Sequence, residues 1–425
     1  MAGLTYDQGP SLAAPLRLFL VAPLFLMLAA VAGILLGHDW LSGRWSPAAL
    51  ALTHLVTLGY LGAVMQGALL QMLAVVLGSP VPWPGVLSWC GLLGLGAGTP
   101  LLAAGLLFGE PVCLVAALVA LAVAWLPFLA GVAVALSRAL SGGEMDWPLR
   151  LAGLALPVTV LTGLALAGGL AGLWSVPDLA GLVDLHAGWG LYGWILVLVV
   201  GVAYQVVPML QITPAYPRRV TRALAWLLPA GLLAYTLEVL SDLPTLHWLS
   251  LAAAGGGSLV FAAATLTLQQ RRRRKLADVT LDFWRLGLAA LALSTLLYAG
   301  LDALPDPARA AAELSLGLLF LLGFAASVVN GMLYKIVPFL AWFHLQSQTG
   351  ARAGTIPNMR EMIDEAAARR HFRLHVAAVC LLAPAPFLPA WLASFGLLAL
   401  AFGGHGLWLN LRAARAAFLA YGGRL

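Results

Sequence analysis

The sequence predicts an all-α integral membrane protein of twelve transmembrane helices in three pseudo-symmetric four-helix arcs, and three observations carry that reading. Of the 425 residues, 62% are hydrophobic and 9% charged, far from the balance of a water-soluble domain. The apolar residues fall into runs of about 20 or more, enough to cross a bilayer as helix. They show none of the alternation that a transmembrane β-barrel requires. Finally, one short phrase recurs at a nearly constant interval: GVAYQVVP at 201–208 and GMLYKIVP at 331–338.

The runs cover 14–37, 47–78, 86–108, 111–137, 148–174, 180–209, 220–240, 245–268, 279–300, 310–343, 372–394 and 395–421. The first follows a single Arg17 and is longer than a signal-peptide core of about 7–15 residues, so it counts as helix one. With twelve crossings, the N-terminus, the even-to-odd loops and the C-terminus share a side. That side holds 20 of the 23 basic residues, including Arg138, Arg150, Arg218, Arg219, Arg222 and the RRRRK run at 271–275. The other side has Arg44 and Arg309, and Lys335 lies within a run. The positive-inside rule makes the basic side cytoplasmic, which places the chain in a bacterial-type inner membrane with both termini inside. The net charge of +6 thus reports topology and contact with lipid headgroups, and no nucleic-acid partner is expected.

The recurring phrase has a third, worn copy, GALLQMLA, starting at Gly67. The anchor glycines Gly67, Gly201 and Gly331 are 134 and 130 residues apart, and each is followed four residues later by Gln71, Gln205 or Lys335. They fall in runs two, six and ten, so twelve runs divide into units of roughly 14–140, 148–275 and 278–421 within a single membrane domain. Four crossings return the chain to its starting side, so the units are parallel, about an axis along the membrane normal. The hydrophilic segment 345–370 reads as a cytoplasmic loop with a short amphipathic helix near 358–370. Cys90, Cys113 and Cys380 lie in runs without CxxC spacing and read as small packers.

Among eight histidines, His38 and His247 lie near the outer ends of their runs. His344 and His371 lie near the inner boundary, where amphipathic side chains rest, and His375 is one turn deeper. His54 and His186 differ: each lies in the outer half of its run, 13 and 15 residues before its anchor glycine. Imidazoles in a bilayer need partners, and the solutions are polar neighbours, a water path or a metal. Gly59 and Gly62 follow the first, and Gly188, Gly190 and Gly193 the second. Such faces either admit a flat macrocycle or pack helices closely. The third unit has no histidine at this position, its nearest polar group being Glu313, so a fully threefold site is excluded. His405, in GGHGLW, is a further ligand candidate. Gln71, Gln205 and Lys335 are candidates for a pathway, with snorkelling to the cytoplasmic face as the structural alternative for Lys335.

Three four-helix units with His54 and His186 in runs two and six resemble subunit I of the haem-copper oxidase superfamily. THLVTLGYLGAVMQG with its spaced glycines is similar to the NnrS family, membrane proteins thought to bind haem and copper and linked to nitric-oxide stress. The resemblance implies a low-spin haem ligand at His54 and a copper ligand at His186. Run seven, ALAWLLPAGLLAYTLEVL, lacks the paired histidines of the copper site, and run ten lacks the two that ligate both haems. The implied activity is therefore not that of a standard terminal oxidase. It is a haem-dependent oxidoreductase of unstated substrate, or a binding protein working with other membrane redox subunits. A transporter or channel without cofactor is the alternative.

Overall fold

The structure, a computed structural model, describes residues 9–139, 143–241, 243–273, 276–349 and 356–425. No strand occurs among the described residues. The long helices are α1 (Ala13–Leu35), α2 (Pro47–Leu77), α3 (Pro84–Phe108), α4 (Pro111–Arg138), α5 (Asp146–Leu170), α6 (Leu179–Leu210), α7 (Arg218–Ser241), α8 (Thr245–Gln270), α9 (Val279–Ala299), α10 (Asp306–Gln348), α11 (Glu365–Leu382) and α12 (Trp391–Ala420). All except α11, eleven among the described residues, are long and apolar enough to cross a membrane. The chain is a multi-pass membrane protein whose exposed leucines, valines and aromatics meet lipid.

Local chemistry fixes where these helices start and stop. Proline occupies the first turn of α2, α3 and α4, where a missing N–H costs nothing. The Ser46 hydroxyl accepts from the Ala49 amide, and the Asp178 carboxylate from the Gly181 amide, at the starts of α2 and α6. Gly78 closes α2 in the left-handed region at φ 60°.

Helix α11 departs from expectation. The run expected at 372–394 is split: α11 starts at Glu365 and ends at Leu382, ahead of Pro384 and Pro386, which cannot continue it. Its first half carries Arg369, Arg370 and Arg373, which lowers its hydropathy below that of the other helices. No separate amphipathic helix occupies 358–370; instead Asp364 caps α11 by accepting from the Ala366 and Ala367 amides. Residues 350–355 of the expected loop, and Arg274 and Lys275 of the RRRRK run, lie outside the described residues.

The bundle has an inner and an outer shell. Neighbouring contacts run α1, α3, α4, α5, α7, α8, α9, α11, α12 and back to α1. Inside this ring stand α2, α6 and α10, whose most apolar stretches are 78%, 72% and 78% buried, against 28–56% for the other candidate spans. All three inner helices change gauge at the same level, with π-helical segments at Leu55–Gly62, Gly188–Leu196 and Leu319–Ala326. A fourth π segment, Leu251–Gly255, lies in α8.

The anchor glycines are in register in space. Val64, Met65 and Ala68 of α2, Leu198, Val199 and Val202 of α6, and Val328, Val329 and Met332 of α10 line a single cavity of about 70 Å³. On each helix these are the residues three and two before the anchor glycine and one after it. A second cavity, of about 40 Å³, follows toward the end of the bundle that carries Lys335. It is lined by the positions four, five, eight and nine after the anchor on α2 and α6, and by five, eight and nine on α10.

Candidate metal centre

His54 closes the α-helical first part of α2, and His186 stands two residues before the π segment of α6. The structure brings them together: their rings lie 15° from parallel with centroids 6.3 Å apart. His54 Nδ1 is 2.7 Å from the Leu50 carbonyl oxygen. His186 Nδ1 is 3.0 Å from the Thr159 carbonyl oxygen and 3.2 Å from the Thr162 hydroxyl. A carbonyl only accepts, so both Nδ1 atoms carry the hydrogen, and the lone pair of each neutral ring is on Nε2. A carbonyl that takes the Nδ1 hydrogen and orients the ring is the usual support of a metal-binding imidazole.

The fit can be tested on size and donor set. Two metal–nitrogen bonds of about 2.0–2.1 Å, plus the reach from each nitrogen to its ring centre, sum to roughly 6 Å, so a centroid separation of 6.3 Å is within the range one bridging ion spans once both Nε2 atoms turn toward it. Among the described residues no group of three or more His, Cys, Asp or Glu side chains is placed to hold an ion. Two imidazoles alone suit a group that brings its own remaining donors, such as a porphyrin, or copper at low coordination number. His54 and His186 are the two imidazoles that the inner helices offer to such a group.

The glycines beside the pair are packing surfaces. A Cβ on Gly59 would come within 2.3 Å of the Phe25 ring, and one on Gly188 within 2.2 Å of Tyr235. Gly62 meets Trp125 at 3.2 Å and Gly193 meets Ala155 at 2.9 Å. Free space lies elsewhere: from Leu179 to Ala187 no residue of α6 is buried, although α6 is an inner helix. Gly317, 14 residues before Gly331, takes on α10 the place of the two histidines, and nothing lies within 4 Å of a Cβ built on it.

An ion-pair network covers this end of the bundle. Arg44 reaches Asp184 of α6 at 3.1 Å and Glu313 of α10 at 3.2 Å. Arg309 pairs with Asp302 at 3.2 Å and Glu313 at 3.7 Å. His247 stands between Glu238, 2.8 Å away, and Asp302, 3.2 Å away. Both arginines that the sequence places on the outer side are thus engaged by acids, and Glu313 is engaged by both of them.

The remaining candidates are dispersed. His405 is exposed on α12 beside Trp408, with ring centroids 6.2 Å apart, and is not brought to the pair. His38 is exposed as well. Cys90 and Cys113 are half-buried, and Cys380 is exposed; all three are free thiols. Gln71 is 4% exposed and neither of its amide atoms has a partner among the described residues. Gln205 shares its cavity. Lys335, at the matching offset on α10, pairs through its Nζ with Asp278 at 2.8 Å, just before the start of α9.

His371 and His375 are each 2% exposed, inside the bundle, which their position near the inner end of the run did not reveal. His375 Nε2 is 2.8 Å from the Ser327 hydroxyl, and its Nδ1 is 3.4 Å from the Asn330 amide nitrogen, while Asn330 accepts from the Tyr60 hydroxyl at 2.6 Å. His371 Nδ1 meets the Tyr334 hydroxyl at 2.8 Å, which also accepts from Asn410 at 2.9 Å. The available signal was the four-residue spacing of two histidines facing a run that holds Ser327, Asn330 and Tyr334. No protein-family model matches this chain, and no curated protein matches it.

Proposed function

We propose that this chain is a haem- or copper-binding membrane protein of the haem-copper oxidase and NnrS type, with a role in respiratory redox chemistry or the nitric-oxide response. The observation that supports it is the facing pair His54 and His186, each with its Nδ1 hydrogen committed to a carbonyl. In this reading the twelve helices all belong to the membrane domain, in three four-helix arcs about a pseudo-threefold axis. The outer ring of nine and the inner trio, and the matching offsets around the axis, support that arrangement. The basic side is cytoplasmic, both termini are inside, and the membrane is a bacterial-type inner membrane where partner redox subunits act.

His54 and His186 would hold the group. The Leu50 and Thr159 carbonyls fix the two rings, and the Arg44 network covers them from the aqueous side. A haem or copper ion bound there supplies one-electron transfer, at a potential set by the imidazoles and the surrounding burial. In this reading the activity is not that of a standard terminal oxidase, because α7 and the run at 310–343 carry none of the histidines that such an oxidase uses there.

A reduced-minus-oxidised visible spectrum with metal analysis, on protein made in a haem-sufficient host, tests this reading. A haem band or stoichiometric copper is expected, lost or shifted in His54→Ala and His186→Ala. Absence of both, or a spectrum unchanged in both variants, overturns it. The rival reading, a cofactor-free transporter, has the Gln71 and Gln205 cavity in its favour. It expects Lys335→Met to abolish a flux with the fold intact.

A further inference from the structure

We propose that the cavity of about 70 Å³ where α2, α6 and α10 meet binds one small neutral apolar molecule, of the size of a diatomic gas. This goes beyond the metal reading and does not depend on it.

Three features argue for a site over a chance void. Interiors are close-packed and large voids are few, yet this one lies at the centre of the inner trio. Each inner helix gives it the same three positions relative to its anchor glycine. The space is thus a product of interhelical register, not of one misfitting side chain. Its walls are side chains such as Val64, Ala68, Val199 and Val329, and the one N–H among them, on Trp284, is already committed to the Met332 sulfur at 3.2 Å. A water molecule needs two to four polar partners to be held in such a place, so the cavity stays dry.

Size sets the ligand class. A dry cavity that accepts benzene measures about 150 Å³, and this one is about 70 Å³. An aromatic ring is excluded, whereas a diatomic molecule or a xenon atom is accommodated. Ions are excluded because nothing replaces their hydration.

The neighbouring cavity supplies an internal contrast. Its volume of about 40 Å³ exceeds the roughly 10–15 Å³ that a water requires, and the buried Gln71 amide has no partner there among the described residues. Water therefore takes the Gln71 cavity, and apolar ligands take the one above. The apolar cavity lies roughly 15–20 Å along α2 from His54 at about 1.5 Å rise per residue, on the axis shared by the three inner helices.

Xenon pressurisation of crystals of the full chain tests the proposal. A xenon peak is expected in contact with Val64, Val199 and Val329, and none beside Gln71. Ala68→Leu fills the cavity and should abolish the peak. Val199→Thr keeps the shape but adds a hydroxyl, and should lower xenon occupancy several-fold, so it carries the test if Ala68→Leu does not fold. No xenon in the unaltered protein, ordered water in its place, or a peak unchanged in the folded variants would overturn the proposal. The spectrum that tests the His54 and His186 pair is insensitive to these outcomes, so either reading can fail alone.

Discussion

At the scale of single residues, the His54 and His186 pair shows how support from the backbone defines a ligand. Thr162→Val removes the hydroxyl 3.2 Å from His186 Nδ1 and leaves the Thr159 carbonyl in place. Outer partners of this kind are worth about 10–100-fold in metal affinity. The variant should keep its cofactor but show weaker metal retention and a shifted reduction potential, measured by chelator competition and redox titration. The buried His375 calls for a different test. His375→Ala leaves the Ser327 hydroxyl without its imidazole partner, and Asn330 loses one bond. A buried group left unsatisfied costs about 1–3 kcal/mol. The melting temperature should fall with the spectrum unchanged, since this network is separate from the pair. The sequence marked His54 and His186 through their repeat position. It could not mark His371 and His375, because their burial depends on α11 packing against α9 and α12.

At the scale of elements, the π-helical segments set the facing of the inner helices. A π turn takes one residue more than an α turn, so the residues before it are rotated relative to those after it. Inserting one alanine in the α-helical stretch between Ala63 and Gly67 should turn His54 by about 100° about the α2 axis relative to the anchor glycine. Loss of the haem or copper signal from a protein that still folds is the expected outcome, read by spectrum and gel filtration. The glycines within these segments carry close contacts. Gly59→Ala places a Cβ 2.3 Å from the Phe25 ring, an overpacking that costs about 1–3 kcal/mol; thermal denaturation in detergent checks it. From the sequence these glycines had two readings, a slot for a macrocycle or close packing, and the side chains of α1 and α7 decide for packing. Hydropathy placed most helices well but joined α11 to the residues beyond Pro384, because the prolines lie in a stretch as apolar as the helices.

At the scale of the whole molecule, the ion pair between Lys335 and Asp278 ties an inner helix to the start of α9. Its two members are unequal. Asp278 also accepts from the Thr280 amide at 3.1 Å, so Lys335→Met leaves the carboxylate partnered. Asp278→Asn leaves an ammonium without its counter-charge, which costs more. The expected order of melting temperatures is wild type, then Lys335→Met, then Asp278→Asn; the reverse order of the two variants would contradict this account. The orientation inferred from charge predicts that a cysteine at Glu110, in a chain whose three native cysteines are replaced, reacts with an impermeant thiol reagent added outside. A reporter after Leu425 should be active inside.

The sequence by itself determined the all-helical membrane class and the positions of most spans, and it singled out the recurring phrase and the two histidines His54 and His186. Hydropathy, charge bias and periodic phrases are local properties, readable without contacts. Only the tertiary structure decided that α2, α6 and α10 form the inner trio and that the two imidazoles face each other. It also decided that His371 and His375 are buried, that His405 points away, and that Lys335 is held by Asp278. In a chain where nearly every helix is apolar, hydrophobicity no longer separates core from surface. Which face turns inward is then set by helix packing and by the pairing of the few polar groups.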